Sequence, residues 1–128
     1  MATFPVTTGD VLTAATYNSL PTFTVSSAQT ADYTAVLADQ YQALQLMNKA
    51  TAIAFKIPTN ASVAFPVGTA ITVLNIGAGT CTISAVTPAT TTILSAGATA
   101  ASPTLAQYKS AVCVKTAVDT WYILGAIS

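Results

Sequence analysis

The feature that most constrains the fold is an alternation of apolar with polar or small side chains, with a period of two, from about Ala31 onward. It is clear in segments 53–57, 63–67, 71–73 and 121–123. Successive side chains of a β-strand point to opposite faces of a sheet, so the alternation predicts strands with one face in a core. The many β-branched and aromatic residues of these segments are also typical of strands. The pattern predicts roughly eight short strands.

Turn-forming residues separate the alternating segments. Examples are Pro-Thr-Asn at 58–60, Pro-Val-Gly at 66–68 and Gly-Ala-Gly at 77–79. Turn signals about every 8 to 12 residues are typical of antiparallel sandwiches and small barrels. We therefore predict an all-β fold, an antiparallel β-sandwich or small barrel, and we expect residues 77–79 to form a hairpin turn. Residues 96–102 are predicted to be an exposed loop or one that lies against a neighbouring copy.

The first 29 residues lack this alternation and are predicted to form an extended N-terminal arm, with the β-body at 30–128. Residues 13–20 can form a short helix in which Thr13 is the N-cap, and Pro21 prevents its continuation. A helix of about two turns is not stable alone. We expect it to dock on another subunit.

Charged side chains are scarce. The chain is 52% hydrophobic and 6% charged, with four Lys, four Asp and no Arg, Glu or His, whereas soluble domains carry about 25% charged residues. Residues 57–108 contain no charge at all. Such a surface gives copies of the chain no electrostatic reason to stay apart, so we expect the working state to be an assembly. The alternative is a neutral surface kept in solution by its many Thr hydroxyls.

The same composition argues against several functions. Nucleic-acid binding needs a basic patch and favours Arg, so no nucleic-acid partner is expected. Without His, a Ser or Cys nucleophile lacks its usual base, and we predict that the chain is not an enzyme. No apolar run is long enough for a transmembrane helix, and we expect no membrane partner. The opening MATFPVTTGD lacks the pattern of a secretory signal, so we expect the chain to stay in the cytoplasm where it is made.

Few residues of the sequence are candidates for metal binding or reactive chemistry. Cys81 and Cys113 are the only thiols, and without His they cannot complete a zinc site, so no metal or cofactor is expected. They are predicted to be buried small hydrophobes, with a disulfide as the alternative if their strands are neighbours. Asp10, Asp39 and Asp119 lie beside turn signals, where an Asp side chain typically bonds local backbone.

The aromatic residues allow two interpretations. Trp121 falls in an alternating segment and is predicted to be a core or inter-subunit anchor. Aromatic rings with polar edges also suit a sugar-binding face, although these residues are scattered along the sequence. They are Tyr17, Tyr33, Tyr41, Tyr108, Trp121 and Tyr122.

Several stretches resemble a β-module that recurs in virion proteins of tailed bacteriophages. The first is IAFKIPTNASVAFPVGT at 53–69, followed by Ile-Thr-Val at 71–73 and by Gly-Ala-Gly before the next strand. The second is DTWYILG at 119–125. The opening Gly-Asp-Val-Leu-Thr-Ala-Ala at 9–15 is similar to that of many phage tail and head accessory proteins. The chain departs from the module at Cys81, where Val is common.

The resemblance implies a non-enzymatic virion structural protein. Because the chain has no long repetitive shaft, we expect a capsid decoration (cement) protein on the head surface, a homotrimer made in the bacterial host cytoplasm. Its arm would bind the major capsid protein. The alternative is a tail-fibre or receptor-binding module that recognises host-surface glycans through loops such as 87–102. The arm residues expected to contact the capsid are Phe4, Pro5, Val11, Leu12, Tyr17 and Leu20.

Overall fold

A computed structural model describes residues 24–41 and 44–128. The predicted helix at 13–20 and the six predicted capsid-contact residues (Phe4, Pro5, Val11, Leu12, Tyr17 and Leu20) lie outside these ranges. The described residues form nine strands and one 3-10 helix, Leu37–Tyr41. The strands are β1 (Tyr33–Thr34), β2 (Gln45–Met47), β3 (Ile53–Ile57), β4 (Ala70–Asn75), β5 (Cys81–Ala85), β6 (Thr92–Ser95), β7 (Thr104–Leu105), β8 (Ser110–Ala117) and β9 (Thr120–Gly125).

The strands form two sheets, which confirms the predicted all-β fold and its sandwich form. The four-stranded sheet has the order β1-β3-β5-β7, and the five-stranded sheet has the order β2-β4-β8-β9-β6. Residues 24–29 run beside β2, where Val25 bridges to Leu44 and Gln29 to Met47. One predicted alternating segment, 63–67, is an irregular connection and not a strand. Its Pro66 has no N–H for a sheet ladder, although Phe65 still reaches the core.

The strand pairing corrects the expected antiparallel arrangement, because the sheets are mixed. Four of the seven pairings are parallel: β1 with β3, β2 with β4, β3 with β5 and β6 with β9. The physical reason is that the chain changes sheet at every connection from β1 to β8. The strands β3, β4 and β5 therefore each lie beside the strand two places earlier in the chain and run parallel to it. Alternation along a strand reveals its buried face and carries no information about its neighbour.

The Gly-Ala-Gly segment at 77–79 is a corner and not the expected hairpin turn. It joins β4 in one sheet to β5 in the other. Its backbone lies directly on the connection between β2 and β3: a Cβ added to Gly77 would overlap the backbone of Lys49, and one added to Gly79 would overlap the carbonyl of Thr51. The Gly79 N–H donates to the Lys49 carbonyl at 2.9 Å. Both glycines are needed because two corners are stacked without space for side chains.

The core lies between the two sheets. Trp121 is buried there and meets Phe65 edge to face, with ring centroids 5.6 Å apart, which confirms the core interpretation of Trp121. All strands from β2 to β9 place at least one apolar side chain in this layer. The core consists of Ala35, Met47, Ile53, Phe55, Ile57, Phe65, Ile71, Val73, Cys81, Ile83, Ile93, Leu105, Ala111, Cys113, Trp121 and Ile123.

The stacked corners give the first testable prediction. Replacing Gly79→Ala should lower the free energy of unfolding by about 2 kcal/mol or more, because the new methyl group meets backbone that cannot rotate away. The matched control is Ala78→Ser, an exposed position in the same corner, which should change it by less than about 0.5 kcal/mol. Urea titrations of the three proteins measure both values. Equal stabilities for the two variants would contradict the stacked arrangement.

Candidate interaction surface

The two outer faces of the sandwich differ in chemistry. The four-stranded sheet presents hydroxyls and one cation: Thr34, Lys56 and Ser84 form one cross-strand row. A second row consists of Ala54, Thr82 and Thr104. A face of this composition is compatible with water.

The outer face of the five-stranded sheet is apolar except toward its ends, where Thr92, Ser110 and Thr120 carry hydroxyls. In β9, Trp121 and Ile123 point into the core, while Tyr122 and Leu124 point outward and are 42% and 56% exposed. Tyr122 lies between two apolar cross-strand neighbours, one on β8 and one on β6. We call this surface the apolar face, and it consists of Leu46, Leu74, Leu94, Val112, Val114, Tyr122 and Leu124, with Ala70 and Thr72 between them.

The apolar face carries no charge because the one charged residue of its strands points the other way. Lys115 follows Val114 in β8, so the alternation turns its side chain inward, where it is 2% exposed. Its Nζ donates to the Asn60 Oδ1 at 2.6 Å and to the Phe65 carbonyl at 2.7 Å. The amine therefore attaches the β3–β4 connection to the five-stranded sheet instead of solvating its surface.

Asp39 is also buried, and its carboxylate accepts hydrogen bonds within the fold. It accepts hydrogen bonds from the Tyr33 hydroxyl at 2.7 Å, the Val36 N–H at 2.9 Å and the Gln45 Nε2 at 2.8 Å. The bond to Val36 is the local backbone contact predicted for this Asp. The other two bonds fasten the 3-10 helix to β1 and β2. Burial, and then the hydrogen bond and negative charge of Asp39, raise the pKa of the Tyr33 hydroxyl above its usual value.

Asp119 lies in the turn between β8 and β9, as the turn signal indicated, but its side chain does not bond that turn. Its φ of 55° is in the left-handed region that Asp tolerates. The carboxylate accepts the Asn60 N–H at 2.7 Å and the Thr91 hydroxyl at 3.2 Å. The predicted local role is corrected to a long-range one, in which Asp119 holds two connections to the β8–β9 turn. Asp10 lies outside the described residues.

Asn75 is a structural residue that the sequence reasoning missed. It is fully buried at the end of β4. Its Nδ2 donates to the Gly79 carbonyl at 2.8 Å and to the Leu105 carbonyl at 2.9 Å, while its Oδ1 accepts the Gly77 N–H at 3.1 Å. An Asn two residues before a Gly is a turn signal that could have identified it.

Both cysteines are buried free thiols, as the first interpretation of the sequence predicted. They lie on β5 and β8, in different sheets, and no disulfide joins them. Burial raises the pKa of the Cys81 thiol to about 11 and that of Cys113 also above its ordinary value. Among the described residues, no three His, Cys, Asp or Glu side chains gather in an arrangement that could hold a metal ion.

The aromatic side chains that the structure describes do not form one surface, and Tyr17 and the side chain of Tyr41 lie outside the described part. Tyr33 packs on the four-stranded sheet, where its ring centroid is 6.0 Å from that of Phe55. Tyr122 belongs to the apolar face of the other sheet. Tyr108, in the turn before β8, is 75% exposed and has a φ of 64°.

Two general findings complete the description. Within residues 24–41 and 44–128, no helix has the length and apolar character needed to cross a bilayer. A scan against protein-family models and searches of curated proteins and of solved structures found no match to the chain.

The buried thiols predict a dependence of stability on pH. The unfolded chain releases the Cys81 proton near its ordinary pKa of 9.0, whereas the folded chain holds it to about pH 11. The contribution of the neutral thiol is therefore complete below pH 9 and is lost as the pH rises toward 11, by about 1 to 3 kcal/mol. Chemical denaturation at stepped pH should show a shallower decline for Cys81→Ala than for the unmodified chain. Parallel declines would contradict the assignment.

Proposed function

We propose that this chain is a non-enzymatic structural protein of a tailed-bacteriophage virion, a capsid decoration protein that binds the outer head surface as a homotrimer. The apolar face is the observation that carries the proposal. The phage assignment rests on the resemblance of residues 53–73 and 119–125 to the virion β-module. The major capsid protein is the proposed partner, and the head surface is the proposed location.

The composition of the central strands supports an interface on the apolar face. In β8, Ala111 and Cys113 point into the core, whereas the larger Val112 and Val114 point outward. Strands that are apolar on both sides are typical of sheets covered on both faces. One side of this sheet is covered by the four-stranded sheet. A second layer of protein is the expected cover for the other side.

A second copy of this chain is the proposed cover. The apolar face contains no charged group, so identical faces can meet without repulsion and without leaving a buried charge unpaired. Three copies arranged around a three-fold axis would bring their apolar faces together. Their hydroxyl-rich four-stranded sheets would remain in water.

The arm is the proposed contact with the shell. Apolar residues of the arm, among them Phe4, Leu12 and Leu20, would bury area on the major capsid protein that no capsid subunit supplies alone. A trimer that binds only the assembled shell stabilises that shell by mass action. The proposed mechanism is mechanical and consumes no substrate.

If the apolar faces form the trimer interface, a charge introduced on that face should prevent self-association. Leu124→Asp places a charge on the apolar face, beside Val112, and should convert the trimer to a monomer, because burying an unpaired carboxylate is costly. Thr82→Asp is the matched control: it places the same charge on a central strand of the other sheet and should remain trimeric. Sedimentation equilibrium gives the mass of each protein. A monomeric unmodified chain, or a trimeric Leu124→Asp variant, would refute the proposed interface.

Removal of the arm tests the shell contact separately. Deleting residues 1–23 leaves residues 24–29 beside β2, so the truncated chain should remain a folded trimer. It should no longer bind shells that lack the decoration protein. Co-sedimentation with such shells measures the binding. Retained binding at the affinity of the full chain would show that the β-body, and not the arm, contacts the shell.

The second candidate, a glycan-binding module at the tail, is favoured by the exposed hydroxyls near β6. Thr87, Thr90 and Thr99 are exposed in the connections on either side of this strand. Copy number on imaged virions separates the two functions. A decoration protein should cover the head in hundreds of copies, whereas a few copies at the tail would support the glycan-binding function and overturn the first proposal.

A further inference from the structure

The buried amine of Lys115 bonds only neutral groups among the described residues. Both of its hydrogen bonds go to neutral oxygens, one of an amide side chain and one of a backbone carbonyl. Among the described residues, no carboxylate lies at ion-pair distance from its Nζ. A buried ammonium without a counter-ion is strongly destabilising. A well-packed apolar side chain at this position would avoid that cost, although it would not form the two hydrogen bonds to the β3–β4 connection.

The hydrogen-bond partner of the amine, the Asn60 side-chain amide, contains a carbonyl carbon that an amine can attack. The Asn60 Oδ1 is 2.6 Å from the Lys115 Nζ, which places the adjacent carbonyl carbon, Cγ, close to the distance at which a nucleophile attacks, about 3 to 3.5 Å. We propose that Lys115 and Asn60 form an isopeptide bond that covalently joins β8 to the β3–β4 connection. This inference stands apart from the proposed function, because it rests on the contacts of these two side chains alone.

The surroundings hold both groups in place. Both backbone polar groups of Lys115 are hydrogen-bonded: its N–H donates to the Thr69 carbonyl at 2.9 Å, and its carbonyl accepts the Gly68 N–H at 2.7 Å. The Asn60 N–H donates to Asp119 at 2.7 Å. Asp119 is therefore a positioning residue, which sets the place of the amide without touching the amine.

Lys115 is 2% exposed, so little water reaches its side chain. Trp121 is the cross-strand partner of Lys115 and packs edge to face on Phe65. The Phe65 carbonyl accepts the second hydrogen bond of the amine. A lysine amine can act as a nucleophile toward a carbonyl carbon.

The reaction balances without a cofactor or an oxidant. The Nζ lone pair forms a bond to the Asn60 Cγ, and the bond between Cγ and Nδ2 breaks. Two protons of the lysine ammonium end on Nδ2, which leaves as an ammonium ion. A charged amine and a primary amide thereby become a neutral secondary amide and free ammonium. The bond removes the buried charge from the folded protein, and this removal favours the reaction.

The direct test is the mass of the unmodified, purified full-length chain. The intact chain should be lighter by one ammonia molecule than its sequence requires. Digestion with a Lys-specific protease should fail to cut after Lys115 and should give residues 57–109 joined to residues 110–128. A linear peptide 110–115 at its full expected mass, with no joined species, would overturn the proposal.

Two variants identify the linked residues, and one serves as control. Lys115→Met and Asn60→Ala should each restore the full mass, whether or not the variant is as stable as the unmodified chain, because mass is measured after denaturation. Lys109→Met removes an exposed lysine six residues earlier and should keep the deficit. A deficit that persists in Lys115→Met would refute the assigned bond.

Discussion

The structure depends on one constraint: nearly every strand gives one face to a single apolar layer between two sheets. The chain meets this constraint by changing sheet at each connection from β1 to β8. Every connection must then cross an edge of the sandwich, where backbone groups need hydrogen-bond partners. Buried polar side chains provide them: Asp39 at the 3-10 helix, Asn75 at the corner of residues 77–79, and Lys115 at the β3–β4 connection. These three buried side chains hydrogen-bond the backbone at points where the chain passes between sheets.

The same constraint explains where the scarce charges go. Lys115 and Asp39 are used inside the fold, and Asp119 is used between connections. Lys56 lies on the outer face of the four-stranded sheet. The five-stranded sheet is left with an outer surface that has no charge. A sheet that is apolar on both sides and covered on one exposes apolar surface in the single chain. The proposed assembly rests on this exposure.

The sequence was sufficient to predict the strands with clear alternation and was not sufficient to predict their partners. Segments 53–57 and 71–73 lie within β3 and β4, where polar or small residues separate the buried apolar ones. Segment 121–123 lies within β9, although Tyr122 and Leu124 make its other register apolar as well. In β8 both registers are apolar, so alternation alone does not show that Cys113 points inward and Val112 outward. Parallel pairing was missed because it depends on the path between sheets.

The polar contacts were harder still. The role of Asn75 was signalled only by the nearby glycine, and the contact between Lys115 and Asn60 joins residues that are distant in sequence. No local pattern marks such a contact. For the interaction surface, the charge-free region was visible in the sequence, but its concentration on one sheet required the cross-strand register.

The most direct test of the central claim, that the apolar face is covered in the working state, is hydroxyl-radical footprinting of the unmodified chain at high concentration. Tyr122 and Tyr108 are 42% and 75% exposed in the single chain and have the same intrinsic reactivity. We expect the oxidation rate of Tyr122, relative to that of Tyr108, to be far below the ratio of these exposures, and we expect dilution to remove this protection. Oxidation of the two tyrosines in proportion to those exposures, at every concentration, would contradict it.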